Sequence, residues 1–246
     1  MDIRFFDELE STNKYCKLLD TKSVGEFTVV VAHSQTAGIG QQGNVWVSEP
    51  GKNLTFSIIL KPTFLAAADQ WQLTMMLAVA VRKSIDDIYS KFIIHNSTLI
   101  KWPNDIYVGD KKVCGILTTA TVSNGHISSA ICGIGLNVNQ VVFPEWVPNP
   151  TSLALITNRQ FDLETILLSL LSDIEKEYQT LRVTPIYIKE EYLNNMYRIG
   201  VNSKFEHSGK VFTGRITGID RFGRLIIATD DMGEKTFDLK EVKFII

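Results

Sequence analysis

The chain is poor in the features that mark several protein classes, and each absence narrows what it can be. Its 246 residues carry a formal net charge of only -2, so the overall electrostatics do not favour nucleic acid as a partner. It has three cysteines, an odd number with no C-x-x-C spacing. That argues against a disulfide framework and against a structural zinc site. The apolar surroundings of Cys16, Cys114 and Cys132 are typical of small buried side chains rather than of catalytic thiols.

Targeting and hydrolase signals are also missing. The N-terminal stretch MDIRFFDELEST has acidic residues where a signal peptide needs an unbroken apolar run. The most apolar helical segment, near residues 75–81, is too short to span a bilayer. We therefore expect a cytoplasmic protein without a membrane partner. The four histidines show no metal-ligand spacing and there is no G-x-S-x-G, so hydrolysis by zinc or by a serine nucleophile has little support.

Hydrophobic periodicity and turn residues predict an α+β fold. The patterns predict a first helix from Ser11 or Thr12, strands at 26–34 and 53–60, and helices at 66–89, at 161–181 and from Pro185 to Gly200. Hairpin turns at 109–110 and 123–125 indicate a mixed, largely antiparallel sheet. After Gly200, short strands separated by turns at 208–209, 220–223 and 230–233 predict a small barrel. We place a domain boundary near Tyr197, which gives domains 1–197 and 198–246.

A glycine-rich loop follows the first apolar strand. Residues 38–43, GIGQQG, match G-x-G-x-x-G, but Pro50 and Gly51 preclude the helix that a dinucleotide fingerprint needs. The P-loop alternative fails as well, because Asn44 and Val45 stand where Lys and Ser or Thr are required. A glycine-rich turn between two strands remains an equal alternative to a ligand-binding loop.

Two polar segments are candidates for a binding site. Ser11, Thr12 and Asn13 start a helix, and they fit either a helix cap or a polar pocket floor for a ureido or amide group. In KWPND, the neighbouring Trp and Pro restrict the position of Lys101. An ammonium group fixed in this way is a good counter-charge for a carboxylate or a phosphate. The alternative for KWPND is an ordinary turn with a solvated lysine.

Glycines also interrupt two later strand patterns. Gly115 lies in KKVCGIL, and Gly133 and Gly135 lie in CGIGLNVN. Glycine inside a strand indicates the close approach of a ligand or of another backbone.

Taken in order, these segments resemble the biotin protein ligase family. The similar elements are STN at 11–13, Gln35 with TAGIGQQGNVW, and then KWPNDIYV, KKVCGIL and GIGLNVN. The tail resembles the small C-terminal barrel of these enzymes, which is related to Src-homology-3 folds. The resemblance implies a class II synthetase-like catalytic domain followed by that barrel.

The resemblance also implies a reaction in two steps. Biotin and ATP give biotinyl-5'-adenylate and pyrophosphate with the help of Mg²⁺, and a lysine of a biotin carboxyl carrier protein then takes the biotin and releases AMP. Ser11 lies so near the start that no winged-helix domain fits before it, so we expect a monofunctional enzyme that binds no nucleic acid. A lipoate-type ligase and a non-catalytic protein that binds biotin or the carrier are the alternatives. The oligomeric state is open, with a homodimer among the options.

Site roles follow from the same resemblance. Lys101 is the expected catalytic cation, and no metal ligand is assigned. The expected nucleotide-side residues are Trp46, Lys112 and Asn137. The expected biotin-binding residues are Ser11, Thr12, Asn13, Gln35, Gly38, Ile39, Gly40, Gln41, Lys101, Gly115, Gly133 and Gly135.

One departure from the family concerns charge. The family loop commonly reads G-R-G-R-x-G, whereas this chain has Ile39 and Gln41 at the two arginine positions. Glutamine can donate a hydrogen bond but cannot compensate a phosphate charge, and isoleucine can do neither. The sequence therefore predicts that the adenylate and ATP are held less tightly here.

Overall fold

The computed structural model describes residues 1–19, 23–92, 98–229 and 233–246. Its larger sheet has seven strands: β1 (Asp2–Leu9), β2 (Thr28–Gln35), β3 (Leu54–Leu60), β4 (Thr98–Lys101), β5 (Asp105–Val108), β6 (Lys111–Ser123) and β7 (His126–Leu136). Their order is β1-β2-β3-β7-β6-β5-β4. Only β1 and β2 are parallel, and every other neighbouring pair in this sheet is antiparallel. The predicted mixed, largely antiparallel sheet is confirmed.

Helices cover both faces of this sheet. They are α1 (Thr12–Leu18), α2 (Trp71–Ser90), α3 (Leu153–Thr157), α4 (Leu163–Val183) and α5 (Pro185–Asn194). The second helix contacts α4, α5 and strands β4 to β6, whereas α1 contacts β2, β3 and β7. Successive residues of β2 divide between two cores, Val29 and Val31 under the large helices and Val30 with Cys16 of α1. This alternation is what a strand buried on both faces requires.

The helix that begins at Pro185 ends earlier than the sequence indicates. We expected it to reach Gly200, but α5 stops at Asn194. The following residues pair with the edge of β4 instead, since Ile100 N–H donates to Asn195 O at 2.8 Å and Tyr197 N–H donates to Ile100 O at 2.8 Å. Tertiary hydrogen bonds to a sheet edge therefore replace the last helical turn.

A second sheet is formed after residue 200. Its strands are β8 (Asn202–His207), β9 (Lys210–Ile219), β10 (Leu225–Thr229), β11 (Gly233–Phe237) and β12 (Lys243–Phe244), in the order β11-β10-β9-β8-β12. All neighbours are antiparallel. The turns predicted at 208–209 and 220–223 are present. The turn predicted at 230–233 falls, apart from Gly233, outside the described residues.

The three cysteines are free and fully buried. Burial raises the pKa of the Cys16 and Cys132 thiols to about 12 and also raises that of Cys114. Their interpretation as small buried apolar side chains is confirmed. Within the described ranges, no helix combines the length and apolar character needed to cross a membrane.

Candidate functional site

A cavity of about 130 Å³ lies where the start of α1, the end of β2 and the glycine loop meet strands β6 and β7. Most of the predicted site residues line it: Ser11, Thr12, Asn13, Gln35, Ile39, Gly40, Gln41, Trp46, Lys112, Gly115, Gly133 and Gly135. The remaining lining residues were not among the predicted site residues; they are Asn44, Val45, Phe56, Asn104, Asp105, Ile116, Leu117 and Ile134. Gly38, Lys101 and Asn137 are not among the lining residues.

One end of the cavity is polar and is built on the first turn of α1. Ser11 caps the helix, because its hydroxyl accepts from Lys14 N–H at 3.5 Å. Thr12 donates its backbone N–H to Gln35 Oε1 at 2.8 Å, and its hydroxyl shares a hydrogen bond of 2.9 Å with Ser57 Oγ. The segment is thus both a helix cap and a cavity wall, so the two alternatives for STN hold together.

Asn13 contributes an unpaired amide at this polar end. Its side chain is buried, and neither Oδ1 nor Nδ2 has a hydrogen-bond partner among the described residues. A Cβ on Gly133 would lie 3.4 Å from Asn13 Nδ2, so the glycine leaves the amide uncovered. A buried amide without partners costs free energy of about 1–3 kcal/mol. A ligand group with both a donor and an acceptor would satisfy it.

The glycine loop closes over the cavity as a narrow ribbon. Ile39 and Val45 form an antiparallel bridge, and Trp46 N–H donates to Gly38 O at 3.0 Å. A Cβ on Gly38 would clash with the carbonyl oxygen of Trp46. The loop contains only a short 3-10 turn at Gln41–Gly43 and leads into no α-helix before β3, which confirms that it is not a dinucleotide fingerprint.

The ring of Trp46 lies over two paired glycines of the sheet. Gly115 and Gly135 are opposite each other in β6 and β7. A Cβ on Gly135 would lie 2.6 Å from Trp46 Nε1, and one on Gly115 would lie 3.0 Å from the Trp46 ring. These glycines do allow a close approach, but the approaching group is the Trp46 side chain and not the ligand or backbone that we expected. It forms one wall of the cavity.

Lys112 is the only lysine or arginine among the described residues that line the cavity. Its ammonium lies 2.7 Å from Asp105 Oδ1 and 5.5 Å from the centre of the Trp46 ring. Its backbone is fixed too, because Lys112 N–H donates to Asn149 O at 2.7 Å and Lys112 O accepts from Thr151 N–H at 2.9 Å. The fixed cation of this cavity is thus Lys112.

We expected Lys101 to be the fixed cation of the site, but the structure places its ammonium beside two aromatic rings outside the cavity lining. Its ammonium lies 4.7 Å from the ring of Phe244 and 5.5 Å from that of Tyr107. Burial lowers its pKa, and Lys112 and Arg198 lower it further, whereas Asp105 raises it. The β4–β5 pairing places Lys101 opposite Asp105, which lines the cavity, whereas Lys101 is not among the lining residues. The hairpin turn at 109–110 pairs Tyr107 with Lys112 before the register shifts between Ile106 and Tyr107, and this turn is the sequence signal that could have favoured Lys112.

Asn137 does not line the cavity but bonds to the segments next to it. Its Nδ2 donates to Thr151 O at 2.9 Å, and its own backbone N–H donates to Val113 O at 2.9 Å. Since Thr151 also bonds Lys112, Asn137 helps to hold the segment that carries the cation.

The donor set does not resemble a protein metal site. No group of three or more His, Cys, Asp or Glu residues that could hold a metal occurs in the part of the chain that the structure describes. Asp105 is the only carboxylate among the described lining residues, and it pairs with Lys112. The protein groups alone therefore do not form a cage for a divalent cation.

Comparisons with known proteins assign both parts of the chain to described families. Residues 5–137 match the model of the Biotin/lipoate A/B protein ligase family, and residues 200–238 match the Biotin protein ligase C terminal domain. The chain is 34% identical to the bifunctional ligase/repressor BirA of Bacillus subtilis over 95% of this chain and 71% of the relative. It is 28% identical to the biotin–[acetyl-CoA-carboxylase] ligase of Mycobacterium tuberculosis over 85% of this chain and 74% of that protein.

A solved structure is similar over almost the entire chain. The biotin protein ligase from Aquifex aeolicus in complex with biotin and ATP superposes with a TM-score of 0.82 at 28% identity, covering 99% of both chains.

Proposed function

Since the chain belongs to the biotin/lipoate A/B protein ligase family and is an ATP-dependent biotin protein ligase, we propose that it transfers activated biotin to a lysine of a biotin carboxyl carrier protein. The observation that carries the proposal is one cavity with an unpaired amide at one end and a fixed cation at the other. Asn13 offers a donor and an acceptor, and Lys112 offers the positive charge. Biotin has a ureido ring at one end and a carboxylate at the other, so it matches both.

The polar end of the cavity fits the ureido ring. Thr12, Asn13 and Gln35 surround it, and the hydroxyl of Ser57 completes the wall through Thr12. Because Thr12 is already bonded to both Gln35 and Ser57, little order is lost at these side chains when the ligand enters. Gly133 leaves the room that the ring needs beside Asn13.

The charged end fits the reacting groups. A carboxylate oxygen attacks the α-phosphorus of ATP, the bond to the pyrophosphate oxygen breaks, and biotinyl-adenylate forms. Two anions approach each other in this step, so Lys112 stabilises the developing charge between them. The carrier lysine, as a neutral amine, then attacks the mixed anhydride; it loses a proton and AMP leaves. Lys101, behind Asp105, is proposed as a second cation for the phosphates rather than as the group that contacts the carboxylate.

Finer features of the proposal come from the resemblance. Trp46 lies beside Lys112 and is proposed to border the nucleotide. Magnesium would be held by triphosphate oxygens, in line with the lack of a carboxylate cage among the described residues. We also propose that the C-terminal sheet is the small Src-homology-3-like barrel and that the boundary lies near Tyr197. A homodimer, a cytoplasmic location and the lack of a nucleic-acid partner stay predictions of the sequence.

Labelling of a carrier domain tests the function. Incubation with ATP, radiolabelled biotin and an apo carrier domain is expected to give labelled carrier, AMP and pyrophosphate. When lipoate replaces biotin, we expect no pyrophosphate exchange with ATP. No label on the carrier under any condition would favour the non-catalytic binder, and exchange with lipoate alone would favour the lipoate ligase.

The uncharged loop gives a prediction about affinity. Gln41 lines the cavity, so an arginine at this position could reach the adenylate phosphate. A charge-assisted hydrogen bond contributes about 1.5–3 kcal/mol. We therefore expect Gln41→Arg to bind biotinyl-adenylate about tenfold more tightly or better in calorimetry. The control is Gln160→Arg, which adds the same charge at an exposed position outside the cavity. Equal affinities of Gln41→Arg and the wild type would contradict the hypothesis.

A further inference from the structure

One turn of the C-terminal sheet contacts the segment that leads into the cavity. The turn at 220–224 joins β9 to β10 and is organised by Asp220. The Asp220 carboxylate accepts from Phe222 N–H at 2.8 Å, from Arg224 N–H at 2.9 Å and from Arg224 Nε–H at 2.7 Å. Because these hydrogen bonds fix its shape, the turn presents a rigid surface to its neighbours.

Two tryptophans meet this turn at Gly223. Trp102 Nε1–H donates to Gly223 O at 2.9 Å, and Trp102 itself is buried. Trp71 packs against Gly223, and a Cβ added to Gly223 would lie 3.0 Å from the Cβ and Cγ atoms of Trp71. Trp71 Nε1 is buried and has no hydrogen-bond partner within the described ranges. Of the two indoles, Trp102 is therefore the one with a polar connection to the turn.

Trp102 begins the three-residue connection between β4 and β5, after which Asp105 lines the cavity. Pro103 O accepts from Tyr192 Oη–H at 2.9 Å. Asn104 is clamped to Ile116 twice, since Asn104 Nδ2–H donates to Ile116 O and Ile116 N–H donates to Asn104 O at 3.1 Å. Asp105 then pairs with Lys112.

The connection is thus held from three sides. The C-terminal turn holds Trp102, α5 holds Pro103 and β6 holds Asn104. Only the first of these contacts comes from the second sheet, none of whose described residues lines the cavity. A change in how that sheet packs would reach Asp105 through Trp102.

We propose that Trp102 is a positioning residue, which uses its hydrogen bond to Gly223 to set Asp105 and, through the ion pair, the ammonium of Lys112. The C-terminal sheet thereby contributes to adenylate formation through Trp102, although none of its described residues lines the cavity of about 130 Å³. The inference deepens the proposed function and rests on the role of Lys112 in it. It predicts that a change at Trp102 lowers the rate of the chemical step. Binding of the ureido ring should be unchanged, because Thr12, Asn13 and Gln35 at that end lie on α1 and β2.

The test compares two substitutions that each remove one indole N–H. Trp102→Phe keeps a buried ring but leaves Gly223 O without this donor. Trp71→Phe, the matched control, removes an N–H that has no partner among the described residues. We expect Trp102→Phe to lower kcat of biotin-dependent pyrophosphate exchange about 10- to 100-fold, because small misplacements of reacting groups have effects of that size. Its Kd for biotin is expected to stay that of the wild type, and Trp71→Phe is expected to change neither quantity.

A double substitution separates positioning from general damage. In a Lys112→Gln background, Trp102→Phe is expected to cause no further loss of kcat, since the group that it positions is gone. Three results would each overturn the inference. The first is an unchanged kcat in Trp102→Phe, and the second is a fall of its biotin affinity as large as the fall of kcat. The third is a loss of kcat in the Lys112→Gln background as large as the loss in the wild-type background. If Lys112→Gln alone kept the wild-type rate, the proposed role of Lys112 would fail together with it.

Discussion

Lys112→Gln is expected to lower kcat/KM for adenylate formation on the order of 10²- to 10³-fold, the usual cost of removing one preorganised group that stabilises transition-state charge. Lys112 is the one cation among the described lining residues, and its ion pair with Asp105 fixes the ammonium before the substrates arrive. Glutamine keeps a hydrogen-bond donor but supplies no charge between the carboxylate and the phosphate. The loss should therefore appear mainly in kcat.

Biotin-dependent pyrophosphate exchange measures this effect, and the neighbouring lysine gives the control. Lys111 precedes Lys112 in β6 and is exposed, so Lys111→Gln removes the same charge from the chain without touching the cavity. We expect Lys111→Gln to retain the wild-type rate. Lys101→Gln is expected to have a smaller effect than Lys112→Gln, because Lys101 lies outside the lining. A larger loss in Lys101→Gln would restore Lys101 as the principal cation.

Gly135→Ala is expected to weaken binding of biotinyl-adenylate roughly tenfold to a hundredfold. The new methyl group would lie 2.6 Å from Trp46 Nε1, so the indole must leave the sheet surface. The backbone N–H of Trp46 closes the glycine loop by donating to Gly38 O, so a shift of the whole residue disturbs the loop as well. Overpacking of this kind costs about 1–3 kcal/mol, which corresponds to the stated change in affinity.

Other glycines of the chain provide a graded comparison for this prediction. Gly115→Ala should have an intermediate effect, since its Cβ would lie 3.0 Å from the Trp46 ring and 3.3 Å from the end of the flexible Lys112 side chain. Gly25→Ala should have none, because no atom of the described residues lies within 4 Å of the position. Calorimetry of adenylate binding gives the affinities, and thermal unfolding shows whether each variant is folded. Equal affinities of Gly135→Ala and Gly25→Ala would mean that the position of Trp46 does not matter for the adenylate.

Much of the fold could be predicted from local sequence. Ser11 caps α1, the buried apolar runs form β2 and β3, and the turns at 109–110 and 123–125 make β5, β6 and β7 antiparallel neighbours. These features depend on side-chain periodicity and turn chemistry within about ten residues, which a sequence displays directly. The end of α5 could not be predicted this way, because the residues after Asn194 bond to the distant strand β4.

The sequence by itself determined the chemistry available: a polar STN segment, glycines within strands, a loop without arginine and two lysines near KWPND. Tertiary structure alone decided how these groups are used. The folded sheet placed Lys112 rather than Lys101 among the lining residues of the cavity, and the ammonium of Lys112 forms an ion pair with Asp105. It also set Gly115 opposite Gly135, where both accommodate Trp46 from a loop about 70 to 90 residues away in sequence. Register and long-range packing are properties of the whole sheet, so no single motif contains them.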